Sequence, residues 1–443
     1  MFIGRDNELN ILTKAYEKES FQSVMIGGKL GLGKSTLISN FVEDKEHLWF
    51  TAEAVNDKMN LSLFTRVLGF DDSFTSWETA FSSLVKMMGK KRKIVIIDNL
   101  YNLQTPGSGF TEAVIKAKDG CFSTSNILLI LVSDLCKSVL EEQAQTFGSQ
   151  AIYLGELDYY DASRMLSSFN FEDRVRFYSC LGGIPKYLTS VDSNLSFEEN
   201  ICNLFFKPNG MLYIEPFVRS ETDRREPLVY NSILRAISCG VNKLNSIVQY
   251  TGEEKYKVAK YLRVLVDEEV LQRIVPFGKD MESGRNGIYQ MTDRSYLFWY
   301  RFVYGNQNIV DSGRGEAYAQ ECVFGDSLDA FVEETAFIDI CQQFLRRRRP
   351  ANIIELGKWW DTDTPVSIIA VDSDEETIVM GCRWHGAPIS DDEMTLLSKR
   401  CYPITKSENI RYAYMSACGF DVDHAVCEQW SDIELSDHNH YRI

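Results

Sequence analysis

Short, unbroken apolar runs alternate with segments of helical period over the first part of the chain, up to about residue 190. The runs Ser23–Ile26, Leu48–Thr51, Lys93–Ile97, Ile127–Val132 and Ala151–Leu154 read as strands. Four of them are continuously apolar, as strands covered on both faces must be. This βα rhythm predicts an α/β fold with a mostly parallel sheet. Ligands of such sheets bind beyond the carboxyl ends of the strands, so the residues following each run are where a site is expected. From Pro227 to Asp293 the pattern changes. Leu228–Ile237, Lys243–Tyr250 and Glu253–Asp267 have helical period, and the extended segments Val270–Val275 and Gly287–Met291 follow, joined by the polar loop Pro276–Asn286. Three helices and a ribbon in that order predict a winged helix-turn-helix. Leu297–Tyr304, rich in aromatic residues, reads as a buried helix between domains. The rest, from about Val323, reads as helix, strands and helix with acidic loops; no internal repeat or low-complexity linker interrupts the chain.

Chemistry gathers at the ends of the predicted strands. Gly28-Lys29-Leu30-Gly31-Leu32-Gly33-Lys34-Ser35 satisfies G-x-x-x-x-G-K-[ST] between the first strand and the helix-like run Ser35–Val42. Gly28, Gly31 and Gly33 let the backbone curl until its N–H groups face phosphate oxygens, and the helix N-terminus adds its positive end. Lys34 would reach the β- and γ-phosphates, Ser35 would place a hydroxyl on Mg²⁺, and Thr36 continues the binding set. Asp98, closing the apolar run Lys93–Ile97, has the position of a Walker B acid that helps hold Mg²⁺. Many P-loop ATPases follow it with a Glu that polarises water. Here Asn99 stands instead, and an amide orients water but takes up no proton. Hydrolysis is therefore expected to be slow unless another carboxylate substitutes. Glu53, after the second strand, is the candidate, and it reads equally as an exposed loop acid. Ser133, after the fourth strand, would sense the γ-phosphate or simply cap the strand.

Composition narrows the setting. At 443 residues the chain calls for about three domains. With 44% hydrophobic and 25% charged residues it has the profile of a folded soluble protein. No stretch approaches the ~20 apolar residues that span a bilayer. The start is charged from Arg5 and reads as no signal peptide. Eleven scattered cysteines without paired spacing read as reduced thiols, so a cytoplasmic protein without membrane contact is expected. A net charge of −16 opposes a generic polyanion binder. The basic run Arg346-Arg347-Arg348-Arg349-Pro350 is either a solvated helix end or a local nucleic-acid contact. Lys255, Lys257, Lys260 and Arg263 on the third helix of the winged region are flanked by Glu253, Glu254, Asp267, Glu268 and Glu269. That balance weakens phosphate contact and suits protein docking equally well.

Several segments together resemble the archaeal-type P-loop ATPases, relatives of the STAND and AAA+ groups. Phe2-Ile3-Gly4-Arg5-Asp6-Asn7-Glu8-Leu9 is similar to their entry motif, and Leu181-Gly182-Gly183-Ile184-Pro185-Lys186-Tyr187-Leu188 to their lid motif. The winged segment and Tyr289–Asp293 with Phe298–Phe302 match the middle region. The resemblance implies that Ile3, Arg5 and Pro185 border an adenine, with ATP and Mg²⁺ as cofactors. No guanine-reading Asn-Lys-x-Asp pattern is apparent, and the adenine preference itself rests on the resemblance. It further implies a C-terminal domain like the restriction-endonuclease-like nucleases. There Ser367 stands at the position of the metal-binding Asp, Gly381 at that of the Glu and Arg383 at that of the Lys. Without both carboxylates the metal charge trap is lost, and Glu333 and Glu334 on the preceding helix cannot rebuild it alone. Nuclease activity is therefore expected to be absent. Relatives often assemble into rings with an arginine reaching a neighbour's γ-phosphate; Arg224 and Arg225 lie near the lid boundary, and no local pattern marks either.

The expected layout is a P-loop core and helical lid over 1–222, a winged helix and connector over 223–305, and a degenerate nuclease-like domain over 306–443. The expected function is an ATP-dependent switch that relays nucleotide state to a protein partner. The alternatives are a nucleic-acid-processing ATPase stimulated by DNA, and a structural adaptor with a vestigial nucleotide site.

Overall fold

The computed structural model describes residues 2–71, 74–222, 226–280, 286–348, 352–360, 366–401 and 409–421. They form two compact units, Met1–Glu156 with Ile184–Lys186, and Leu157–Gly183 with Tyr187–Ile443. Arg224, Arg225, Arg349 and Pro350 lie outside the described residues.

The first unit is built on five parallel strands: β1 (Gln22–Gly27), β2 (His47–Thr51), β3 (Lys93–Asp98), β4 (Ile127–Val132) and β5 (Gln150–Tyr153). Their order is β2-β3-β4-β1-β5. Every position of β4 is buried, which is why its run shows no alternation. On one face Phe50, Phe64, Trp77, Phe81, Phe110 and Phe122 form a cluster of edge-on and tilted rings. The chain leaves β1 toward the sheet edge at β2, whereas β4 and β5 flank β1. Connections thus diverge at the carboxyl end of β1, the place where such sheets take ligands.

In the second unit, helices Tyr159–Met165, Phe171–Leu181, Phe197–Phe205 and Met211–Thr222 precede helices Pro227–Ser238, Leu244–Thr251 and Lys255–Asp267. A two-stranded antiparallel ribbon follows, β6 (Leu271–Ile274) with β7 (Ile288–Met291). The buried helix expected over Leu297–Tyr304 begins earlier, at Arg294, and widens into a π-helical turn over Trp299–Val303. Arg235 donates to the carbonyls of Tyr300 and Arg301, and a widened turn leaves carbonyls open to such an outside donor. Tyr300 is buried and donates its hydroxyl to Asn231 at 2.7 Å. The last sheet has the order β12-β10-β9-β8. It comprises β8 (Ile353–Trp359), β9 (Val366–Asp372), β10 (Thr377–Arg383) and β12 (Ile410–Ser416). The short pair β11 (Ile389–Ser390) and β13 (Phe420–Asp421) accompanies it.

Candidate nucleotide site

Gly27 ends β1 and the loop turns into the helix Lys34–Val42. Gly28 has φ +140°, and a Cβ there would lie 2.5 Å from the Leu154 carbonyl oxygen, so only glycine fits. Gly33, at φ +86°, stands immediately before the helix and frees its first-turn N–H groups to face outward. Lys34 is buried, yet its ammonium is satisfied. It donates to the carbonyls of Gly28 (2.8 Å) and Lys29 (3.0 Å) and pairs with Asp134 at 2.5 Å. Ser35 and Thr36 are exposed on the first turn.

Two distant segments close on this loop. Lys186 N–H donates to the Gly31 carbonyl (3.2 Å), and Pro185 Cγ lies 3.9 Å from where a Gly33 Cβ would stand. Arg5, itself left-handed at φ 70°, donates to the carbonyls of Leu32 (3.2 Å) and Gly155 (2.6 Å) and pairs with Glu8. Ile3 is buried beside it in sequence. The entry and lid segments thus brace the phosphate loop itself.

Asp98 closes β3. Burial pushes its carboxyl above the ordinary range; the Asn99 N–H (2.9 Å), Lys34 and Trp49 pull it back, while Asp134 adds to the rise. Lys34, Asp98 and Asp134 therefore share one electrostatic field. Asn99 is left-handed (φ 56°, ψ 45°), and its amide donates toward the Ala52 carbonyl, as does that of Asn102. It ties β3 to β2. Glu53 is exposed; its backbone N–H and carbonyl are held by Asn60, and among the described residues its carboxylate joins none of these contacts. Ser133 donates its N–H to the Ile26 carbonyl at 3.1 Å, which places it at the end of β1. Its hydroxyl is buried without a hydrogen-bond partner among the described residues.

Asp134 escaped the sequence reading, although a signal was there. It stands just past β4 much as Asp98 closes β3, an acid at the carboxyl end of a buried strand. The residues present fit a nucleotide triphosphate with Mg²⁺. An orphaned hydroxyl, a lysine already ringed by oxygen acceptors, and a glycine cradle that a Cβ would fill all occur at one strand end.

At the other sheet, the positions matched to nuclease residues are engaged internally. Ser367 Oγ accepts from Cys382 N–H (3.3 Å), and a Cβ on Gly381 would lie 2.2 Å from the Tyr414 ring. Arg383 pairs with Glu393, which raises its own pKa and lowers that of Glu393. Glu333 accepts from the N–H of Trp384 (2.9 Å), and Glu334 pairs with Arg301 at 3.6 Å.

A family described as archaeal and bacterial proteins of unknown function, DUF234, matches residues 299–395. An uncharacterized protein of Methanocaldococcus jannaschii is 23% identical over 396 residues, covering 87% of this chain and 88% of that protein. A Walker-type ATPase of Pyrococcus abyssi superposes with a TM-score of 0.48 at 15% identity, over 68% of this chain and 96% of that one. Cdc6p from Pyrobaculum aerophilum gives 0.36 at 11% identity, covering 70% and 94%. The Orc1 protein of Aeropyrum pernix, solved in complex with DNA, gives 0.37 at 13% identity, covering 72% and 94%. The five-stranded parallel sheet, its strand order and the glycine loop at the end of β1 give the chain the fold of a P-loop ATPase. Among the described residues no helix is long and apolar enough to cross a membrane.

Proposed function

We propose that the chain is an ATP-binding P-loop switch with slow hydrolysis, which relays nucleotide state from a core and lid (1–222) to a winged helix (223–305) and an inactive nuclease-like scaffold (306–443). The observation that carries this reading is the Lys34–Asp134 pair beside the Ser133 hydroxyl, which has no partner among the described residues. Asp134 occupies the ammonium as an internal anion, and an incoming phosphate would replace it at Lys34 while supplying the acceptor that Ser133 lacks. Nucleotide binding thereby changes which groups the strand ends hold, and a change of partners is what a two-state device needs. The loop amides and Lys34 would hold the phosphates, with Ser35 and Asp98 on Mg²⁺. When bound, the metal neutralises charge on the phosphates. Slow turnover follows from Asn99 bonding Ala52 and from the exposed position of Glu53. A protein partner is favoured over DNA because the ribbon is tied to β8, with Phe277 N–H donating to the Lys358 carbonyl at 2.8 Å. Single-turnover phosphate release tests this. Release slower than one per minute with ATP–Mg²⁺, unchanged by double-stranded DNA, is expected; strong stimulation by DNA would overturn the switch in favour of a DNA-driven ATPase.

A further inference from the structure

The ammonium of Lys34 has three protons, and three acceptors take them. They are the Gly28 carbonyl at 2.8 Å, the Lys29 carbonyl at 3.0 Å and an Asp134 carboxylate oxygen at 2.5 Å. A phosphate that uses this lysine must therefore take the place of one of the three. They are not equal. The carbonyls are neutral and belong to the phosphate loop itself, whereas Asp134 carries a full charge on the segment after β4. An ion pair of this length is held harder than a contact to a carbonyl. The two side chains also differ in exposure, 9% for Lys34 and 37% for Asp134. A buried ammonium depends on its protein acceptors, while the acid can reach water when displaced. Ser133, the residue before it, bonds to the Ile26 carbonyl and fixes this segment to the end of β1. Asp134 thus places charge and acceptor oxygens where the terminal phosphate of a bound triphosphate would place its own.

We propose that Asp134 is a specificity-determining residue that stands in for the third phosphate, so that the loop takes a nucleoside diphosphate more tightly than the triphosphate. This rests on the reading of the glycine loop as a nucleotide site and adds which phosphate chain that site prefers. A lysine at this loop position serves both the β- and the γ-phosphate. A diphosphate needs a donor for its last phosphate alone and can draw it from the carbonyls, which leaves the Lys34–Asp134 pair closed. A triphosphate brings a further phosphate to the ammonium that Asp134 holds. Either the pair opens, or a carboxylate and a phosphate crowd one ammonium. Both oppose binding, and a diphosphate avoids both. Ser133 works the other way, because its hydroxyl, without a partner among the described residues, gains an acceptor from the third phosphate. One hydroxyl hydrogen bond is weaker than the repulsion of two anions a few ångströms apart in a half-buried site, so the acid decides the sign. Two consecutive residues after β4 then hold the group that opposes the triphosphate and the group that welcomes it.

Calorimetry with ADP–Mg²⁺ and ATP–Mg²⁺ on the full chain, as wild type, Asp134→Asn and Asp134→Glu, tests this. Wild type should take ADP about fivefold or more tighter than ATP. Asp134→Asn keeps the size and an acceptor but removes the charge. It should tighten ATP roughly tenfold or more and change ADP by less than about threefold. Asp134→Glu keeps the charge and should keep the wild-type order. A wild-type chain that takes ATP as tightly as ADP would overturn the inference, and that ratio is read whichever variants fold. A ratio that Asp134→Asn leaves unchanged would overturn it as well. In both cases the nucleotide site itself would stand. Failure of both nucleotides to bind any of the three proteins would instead remove the site, and this inference with it.

Discussion

The two main sheets present their strand-end chemistry in opposite ways. In the first unit polar groups at the carboxyl ends of β1, β3 and β4 are held in reserve. Ser133 has a hydroxyl without a partner among the described residues, Lys34 is balanced by a half-exposed acid, and Asp98 is partly withdrawn from water. At the C-terminal sheet the corresponding candidates have permanent occupations. Ser367 is bonded across the strands, Arg383 is paired with Glu393, and Tyr414 fills the space beside Gly381. Buried polar groups cost stability when unsatisfied, so a chain retains them where a ligand completes them and absorbs them into packing where none does. On the function proposed above, that difference separates a ligand pocket from an inactive scaffold more sharply than residue identity alone.

The largest expected effect would come from placing carboxylates at the two nuclease-matched positions of the C-terminal sheet. Gly381→Glu with Ser367→Asp should lower stability by about 2–3 kcal/mol, because the new side chain meets the Tyr414 ring, and should restore no Mg²⁺-dependent DNA cleavage. Chemical denaturation and a plasmid assay check this; cleavage in the folded variant would erase the contrast. A serine comparison sharpens it. Ser133→Ala should leave the nucleotide-free protein unchanged or more stable by about 1 kcal/mol, since no hydrogen bond is lost, yet should weaken ATP. Ser367→Ala should cost about 0.5–1.5 kcal/mol and leave ATP affinity alone.

The smallest effect is one of pH. The folded Asp98 carboxyl titrates above its unfolded value, so between those two values the folded state holds the proton more firmly. Stability of the nucleotide-free protein therefore falls as pH rises through that window, and Asp98→Asn should flatten that part of the curve. An identical pH slope in thermal melts of both proteins would remove Asp98 as its source.

The central strands β1, β3 and β4 were legible because they are largely buried and so appear as continuous runs, while the half-exposed edge strands β2 and β5 still show as short apolar segments; β1 to β5 lie within a residue or so of the segments read from pattern. The phosphate loop was legible because its geometry demands glycine at fixed spacing. Asp134 was not, since its partner Lys34 stands a hundred residues earlier and only the fold brings the two together. The α-to-π transition at Trp299 leaves no periodic trace, because an apolar run reads alike in either winding.

The central claim is that Lys34, released from Asp134, neutralises a triphosphate at the end of β1. Titrating ATP–Mg²⁺ into the wild-type chain and into Lys34→Ala by calorimetry tests it most directly. One equivalent should bind tightly to wild type at this site, with affinity reduced at least a hundredfold in the variant, about 2.7 kcal/mol or more. Equal affinity in the two proteins would contradict the account.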